Sequence, residues 1–247
     1  MLQYILSVFE DITKTFFFSY SGFRVGLETF IIGIIFDNTI SIESKKKLED
    51  KNPELLIEGY RKVAINLLLL SPYLYYFLEN YLITKKEINF NFGKYCLILL
   101  IHSFGYYYAH IVMHKINIFK EMHKFHHKFT NILIPSIGNA VSVYEFTFAY
   151  ASPFILASYL LDSNLITLNY AIKTVSFFNL MIHCNELKNL KYYKMLVSPN
   201  DHLNHHKLKR EKNTYSAPII NMDYIANKIA NKLFESSSED NLNDSEE

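Results

Sequence analysis

The sequence predicts an all-α fold, an integral membrane bundle of about four transmembrane helices with a cytosolic, histidine-rich helical cap. Three observations point there. Half of the 247 residues are hydrophobic while Gly (7) and Pro (6) are scarce, so long apolar runs proceed without turn formers. Several of those runs approach the ~20 residues a helix needs to cross hydrocarbon. Five of the ten histidines crowd between His110 and His127, at the end of one such run. Composition also excludes partners and chemistries. A net charge of +1 provides no basic field for nucleic acid. The two cysteines, Cys96 and Cys184, allow no disulfide framework or thiolate metal cluster, and both are expected as inert packing residues of apolar runs.

The elements follow in order. Residues 1–52 read as a weakly organised interfacial and linker region. Within it "MLQYILSVFEDITK" is too short and acidic for a signal-peptide core. "TFIIGIIF" (Thr29–Phe36) is too short to span alone and reads as an interfacial or packing helix, and "ESKKKLEDKNPE" reads as a charged linker. A membrane domain is expected over 53–228. Its first span is Val63–Leu78, which has no charged residue and continues past Glu79 to Thr84. The second is Tyr95–Met113, uncharged apart from its histidines. Ile132–Leu161 exceeds one crossing, so its first part reads as an interfacial connection and Val143–Leu161 as the third span. Leu165–Cys184 is the fourth. Glu145 and Lys173 lie inside these last two spans, where ionisable groups are costly, and are expected to pair with each other or snorkel. The Tyr-rich run "FGYYYAH" reads as packing and interfacial anchoring. The end of the chain, 229–247, reads as an acidic disordered tail. Four near-spanning runs in one small chain disfavour the alternative of a water-soluble bundle.

Charge orients the bundle. Four crossings place Lys45–Lys47, Arg61, Lys62, Lys115, Lys120, Lys124, Lys128 and the lysines after residue 184 on one side, against Lys85, Lys86 and Lys94 on the other. The positive-inside rule makes the first, histidine-bearing side cytosolic.

The histidines fall into spaced groups. His110 and His114 are four apart at the end of the second span, and so share a helix face. His123, His126 and His127 form H-x-x-H-H, and His202, His205 and His206 repeat it. Asn179 and His183 are four apart at the end of the fourth span. Two spans separate the second and third groups, so the chain returns to the same side and nine histidines converge; His102, deeper in the second span, is expected to pack or hydrogen-bond instead. Nine imidazoles repel one another if charged and cost much to desolvate if unpaired; bound cations remove both problems. Nine exceed one four-ligand ion and suit two, each with four or five nitrogens, but imidazole accepts zinc, copper, iron and nickel alike.

H-x-x-x-H, H-x-x-H-H, N-x-x-x-H and H-x-x-H-H, in this order between hydrophobic runs, resemble the fatty acid hydroxylase/sterol desaturase superfamily of membrane-embedded di-iron oxygenases. The resemblance runs from about Pro53 to Ile225. "SPNDHLNHH" is similar to the third box of these enzymes, "NTYSAPIINMD" to the Asn-Tyr and Asp pattern after it, and "HHKFTN" leading to Glu145 to the segment after the second box in sterol C-4 methyl oxidases. Ile111 and Ser103 stand where the family often has arginine and aspartate, which leaves subfamily and substrate open.

The resemblance implies a monooxygenase or desaturase of lipid biosynthesis, sterol biosynthesis included. Its cofactors would be two iron ions held by His110, His114, His123, His126, His127, His183, His202, His205 and His206. O2 would be the co-substrate, and Asn179 would hold a metal-bound water. It also implies a sterol, fatty acyl or sphingoid substrate drawn from the membrane, and residence in the endoplasmic reticulum if the source is eukaryotic. The sequence contains no G-x-G-x-x-G after a strand and no cysteine cluster, so a separate electron donor is expected, by resemblance cytochrome b5 with its NAD(P)H reductase. The competing readings are a non-redox membrane metal-binding protein and a catalytically silent relative. Metal transport sites usually sit near the bilayer midplane, whereas these boxes lie at one edge.

Overall fold

Helical rods run side by side, and each has one end at the histidines. The computed structural model describes residues 17–83, 89–207 and 214–243; within them there is no strand, only an isolated bridge between Leu196 and Ile220. Helix α1 is Tyr20–Thr39, capped by the Ser19 hydroxyl, and α2 is Ile42–Lys51. Helix α3 (Pro53–Ala64) passes through a π-turn (Ile65–Leu70) into α4 (Ser71–Phe77) and a second π-turn (Leu78–Leu82). Helix α5 is Phe92–Lys115 and α6 is Asn117–His123; short 3-10 turns follow at His126–Lys128 and Pro135–Asn139. Helix α7 (Val143–Glu145) leads through a π-turn (Phe146–Ala151) into α8 (Ser152–Leu161); then come α9 (Leu165–Ile182), α10 (Pro199–His206) and α11 (Met222–Asn243).

Neighbouring contacts define the directions. Helix α1 runs antiparallel to α3–α4, with Ser19 N bonded to Pro72 O at one end and Tyr60 to Asp37 at the other. It runs parallel to α9, through Glu28–Lys173 and then Ser41–Cys184. Helix α5 is parallel to α9 through Tyr95–Thr174 and antiparallel to α8 through Lys94–Asp162.

The burial pattern of α5 identifies its solvent. It buries His102, Ser103, His110 and His114 while Leu97, Leu100, Phe104 and Tyr108 point outward. A helix that hides its polar side chains and presents its apolar ones is matched to hydrocarbon. Two helices, α5 and α9, are long and apolar enough to cross a membrane, and α1 with α2, bent by 88° at their junction, makes a third candidate. The expected spans Val63–Leu78 and Val143–Leu161 lie in the rods divided by π-turns, so neither holds an unbroken α-helix of spanning length. For two of the three turns the physical cause is the Ser-Pro pair that follows, Ser71–Pro72 after Ile65–Leu70 and Ser152–Pro153 after Phe146–Ala151. Proline cannot bond to the carbonyl four residues back and crowds it; a widened preceding turn relieves the clash.

Three further expectations change. The N-terminal region is organised from Phe17 onward: "TFIIGIIF" belongs to the longer α1, and the charged linker forms α2; residues 1–16 lie outside the described ones. Apart from Val25, the inner face of α1 is Gly22, Gly26, Thr29, Gly33 and Asp37, small or polar residues that hydropathy scores poorly. The connection before α7 is not interfacial but a buried plug, with Leu133, Ile134, Ile137, Ala140 and Val141 all inaccessible. Helix α11 extends to Asn243, through most of the stretch read as a tail, with Ile225 and Ile229 one helical turn apart; residues 244–247 lie outside the described ones.

The plug carries non-helical backbone into the core, where every peptide group needs a partner. Three rods supply them. Asp37 of α1 accepts from Ser136 N, and Asn66 of the first π-turn donates to the carbonyls of both Asn139 and Val141 at 3.0 Å. Tyr150, in the π-turn before α8, donates to Gly138 O.

Helix α1 sits close enough that a Cβ on Gly26 would lie 1.9 Å from the Leu67 carbonyl oxygen. An exposed helical Gly→Ala change stabilises by about 1 kcal/mol. Here the sign should invert: Gly26→Ala is expected to cost about 1–3 kcal/mol through overpacking, read as a lower Tm in detergent. Gly93→Ala, whose nearest neighbour would be Asn91 Oδ1 at 3.5 Å, is the control expected to leave Tm unchanged or higher.

Candidate metal centre

Each histidine group is positioned by its local helix. Asn91 caps α5, so that His110 and His114 emerge one turn apart at its far end. The Ser198 hydroxyl accepts from Asp201 N, and Pro199 occupies the first turn of α10, where its missing N–H costs nothing. That start sets the phase of His202, His205 and His206. His123 ends α6, and His126 and His127 lie on the following 3-10 turn.

The nine histidines form two adjacent clusters. His110, His114, His123, His127 and His205 make one; His126, His183, His202 and His206 make the other, and the candidate ligand atoms within each lie no more than 4.8 Å apart. The two H-x-x-H-H boxes interlock. Each gives its i, i+4 pair to one cluster and its middle histidine to the other: His123 and His127 opposite His126, His202 and His206 opposite His205. On α10 this follows from about 100° of turn per residue, which keeps i and i+4 within about 40° but swings i+3 aside. The sequence places all three of a box on one side, and the structure splits them two and one. His102 joins neither cluster; it is buried against Phe154, with ring centroids 4.2 Å apart.

Ring orientation decides what the clusters can hold. His110 Nδ1 lies 2.8 Å from Tyr215 O, His183 Nδ1 2.6 Å from Asn179 O and His206 Nδ1 3.0 Å from Phe129 O. A carbonyl only accepts, so each Nδ1 carries the proton and, in a neutral ring, each Nε2 presents a bare lone pair. Those Nε2 atoms face inward. His110 is 2.9 Å from His123 and 3.1 Å from His114, which is 3.1 Å from His205 and 3.3 Å from His127. In the second cluster His202 is 2.9 Å from His183 and 3.2 Å from His206, and His126 is 3.3 Å from His183. A zinc–nitrogen bond of about 2.0–2.1 Å sets ligand nitrogens about 2.8–3.0 Å apart at a right angle and about 3.3–3.4 Å apart at the tetrahedral angle. The observed spacings fall on the edges of such polyhedra, so the residues present fit two cations.

The supporting groups were only partly foreseen. Asn179, expected to hold a metal-bound water, orients His183 through its backbone carbonyl, and its side chain lies 3.4 Å from Asn139 Oδ1. Glu145 does not pair with Lys173. It accepts from His123 Nδ1 at 2.6 Å, while Lys173 pairs with Glu28 of α1 at 2.5 Å. Depth along the helices is the reason: Lys173 is well down α9, whereas Glu145 stands at the histidine end, its N–H held by Ser142. Asp223 accepts from the backbone of Tyr215 and Ser216 at 2.8 Å each, and so fixes the carbonyl that orients His110. Asp223 ends the "NTYSAPIINMD" stretch that the resemblance singles out, whereas Asp37 and Asn66 were missed; the available signal was a polar residue inside an otherwise apolar run. Cys184 is buried beside Ser41, but Cys96 is exposed rather than packed.

The surroundings of the clusters differ. Beside the first, a polar recess is lined by Lys120, Glu121, Lys124 and Lys128, and His127 is only half-buried. Below the second lies an apolar cavity of about 70 Å³, walled by Val25, Leu67, Leu74, Phe154, Ile172 and Val175, with Asn139, Tyr150 and Asn179 also lining it. Asn179 stands one helical turn below His183.

A family model described as fatty acid hydroxylase matches residues 95–227, which include all nine clustered histidines. No curated protein sequence and no solved structure matches the chain.

Burial, and secondarily repulsion among neighbouring rings, holds His126, His202 and His206 well below the ordinary histidine value of 6.5. The unfolded chain therefore binds more protons than the folded one as pH falls through 6.5, and stability falls with it. Metal-free protein is expected to keep a level Tm above about pH 7.5 and to lose stability steadily below pH 6.5. Thermal melts across that range check this; a Tm that rose on acidification would contradict it.

Proposed function

This chain belongs to the fatty acid hydroxylase family, and from that premise we propose that it is a membrane-bound, O2-dependent di-iron oxidoreductase that hydroxylates or desaturates an alkyl chain of a membrane lipid. The observation that carries the reading is the apolar cavity that ends one helical turn below a fully buried histidine cluster. The nine histidines would hold two iron ions, which when bound would supply activation of O2 toward an unactivated C–H bond.

The chain's own residues do the rest. The cavity is small, about 70 Å³, but its apolar lining suits a short stretch of hydrocarbon and disfavours water at the reacting carbon. Asn139, Tyr150 and Asn179 form the polar boundary between that cavity and His183. The plug residues Ile134, Ile137 and Ala140 close the site from the side, and the carbonyls of Tyr215, Asn179 and Phe129 keep three imidazoles in the tautomer that presents Nε2 inward. Substrate comes sideways from the lipid. Electrons come from a separate donor of the cytochrome b5 type on the lysine-rich histidine side, which is the cytosolic one; in a eukaryotic cell the membrane is that of the endoplasmic reticulum.

The purified protein is expected to carry about two iron ions per chain and to consume O2 when given a reductant, and His126→Ala or His205→Ala should lose metal and activity together. One zinc per chain with no O2 consumption would sink the oxygenase reading. A second test separates cavity from centre. Val175→Phe fills the cavity without touching a histidine, so lipid product should fall at least tenfold while iron content stays at the unaltered level. Comparative lipid profiling of cells with and without the chain then identifies the substrate.

A further inference from the structure

The two clusters are not chemically equivalent, and the difference lies in what stands behind the rings. In the four-histidine cluster, His183 and His206 give their Nδ1 protons to neutral backbone carbonyls. In the five-histidine cluster, His110 does the same, but His123 faces a carboxylate, Glu145, at 2.6 Å. Among the described residues no carboxylate bonds to a histidine of the second cluster. Glu145 is wholly buried, and its other oxygen has no hydrogen-bond partner. A buried carboxylate with one oxygen bare is costly unless positive charge lies close by. Among the described residues the partner of this carboxylate that can carry such charge is His123.

Helix geometry keeps the arrangement rigid. The Ser142 hydroxyl accepts from Glu145 N, and the carboxylate projects from the first turn of the α7–α8 rod directly at α6. The pair therefore spans two elements that sequence separates by 22 residues.

Resting on the di-iron reading, we propose that Glu145 is a positioning residue that makes the five-histidine site the tighter of two unequal metal sites. It fixes the His123 tautomer and raises the electron density of that ring, so the first cation loads there and the four-histidine site fills second. A carboxylate behind a ligating histidine changes metal affinity by about 10–100-fold in characterised sites, and the same separation is expected between the two loading phases here.

The test is titration of the metal-free, full-length protein in detergent micelles with cobalt(II), followed by visible absorption and calorimetry. The unaltered chain should bind two ions in two resolved phases. His126→Ala, which strips the four-histidine site, should leave only the tight phase, and His114→Ala only the weak one; the reverse assignment would overturn the proposal without requiring any change at Glu145. Glu145→Gln keeps an oxygen that can accept from His123 Nδ1 but removes the charge. It should weaken the tight phase by about 10–100-fold, leave the weak phase in place and preserve helical circular dichroism. Glu145→Asp should restore part of the affinity. Two tight phases in Glu145→Gln, equal to those of the unaltered protein, would defeat the role of the carboxylate while leaving the di-iron reading intact. Fewer than two cobalt ions bound by the unaltered chain would remove both.

Discussion

The structure is organised around imidazole rings turned inward by the backbone. His110, His183 and His206 are each held by a carbonyl that takes the Nδ1 proton, which commits Nε2 to the inside of a cluster. Other Nε2 atoms lie about a hydrogen-bond length away, yet a carbonyl-pinned neutral ring has no proton left to offer there. Protonating the rings instead would put like charges side by side in a dry interior. Bound cations are one arrangement that satisfies these rings together, and the two clusters are capable of holding them.

That scaffolding has its own polar problem. To close the site, the chain feeds the plug between α1, the first π-turn and α9, and a non-helical segment in the core leaves peptide groups without partners. Asp37, Asn66 and Tyr150 each reach the plug from a different rod. Their positions explain why helices that face hydrocarbon outside tolerate buried polar side chains inside. They also link site to fold: Gly138, which Tyr150 bonds, lies where any side chain would strike His183 and Asn179. The plug is thus fixed by the rods and in turn fixes the orientation of the second cluster.

How much of this was legible in the sequence depends on range. The histidine spacing is a local signal, and it identified all nine members and their common side of the bundle. Long apolar runs likewise identified α5 and α9. Three things were hidden. The inner face of α1 includes Gly22, Gly26 and Gly33, which contribute close approach rather than hydrophobicity, so a spanning-length helix read as a weak one. The Ser-Pro pairs at 71–72 and 152–153 widened turns inside runs that hydropathy scored as continuous. Partner choice was the third: Glu145 and Lys173 are both intramembrane charges, and only depth along the assembled rods shows that one belongs to His123 and the other to Glu28. Which histidine joins which cluster was hidden for the same reason, since it depends on helical phase and on the break between α6 and the turn after it.

The two clusters have unlike surroundings. Beside the five-histidine cluster, the recess with Lys120, Lys124 and Lys128 is polar, and His127 is partly exposed. Beneath the four-histidine cluster the walls are hydrocarbon, and every ring is buried. The interlocked boxes account for the closeness of these unlike surroundings: because each H-x-x-H-H contributes to both clusters, the two candidate metal sites are held side by side by the same short segments. Each histidine belongs to a single cluster, so the same short segments place the two clusters close together yet give them unlike surroundings.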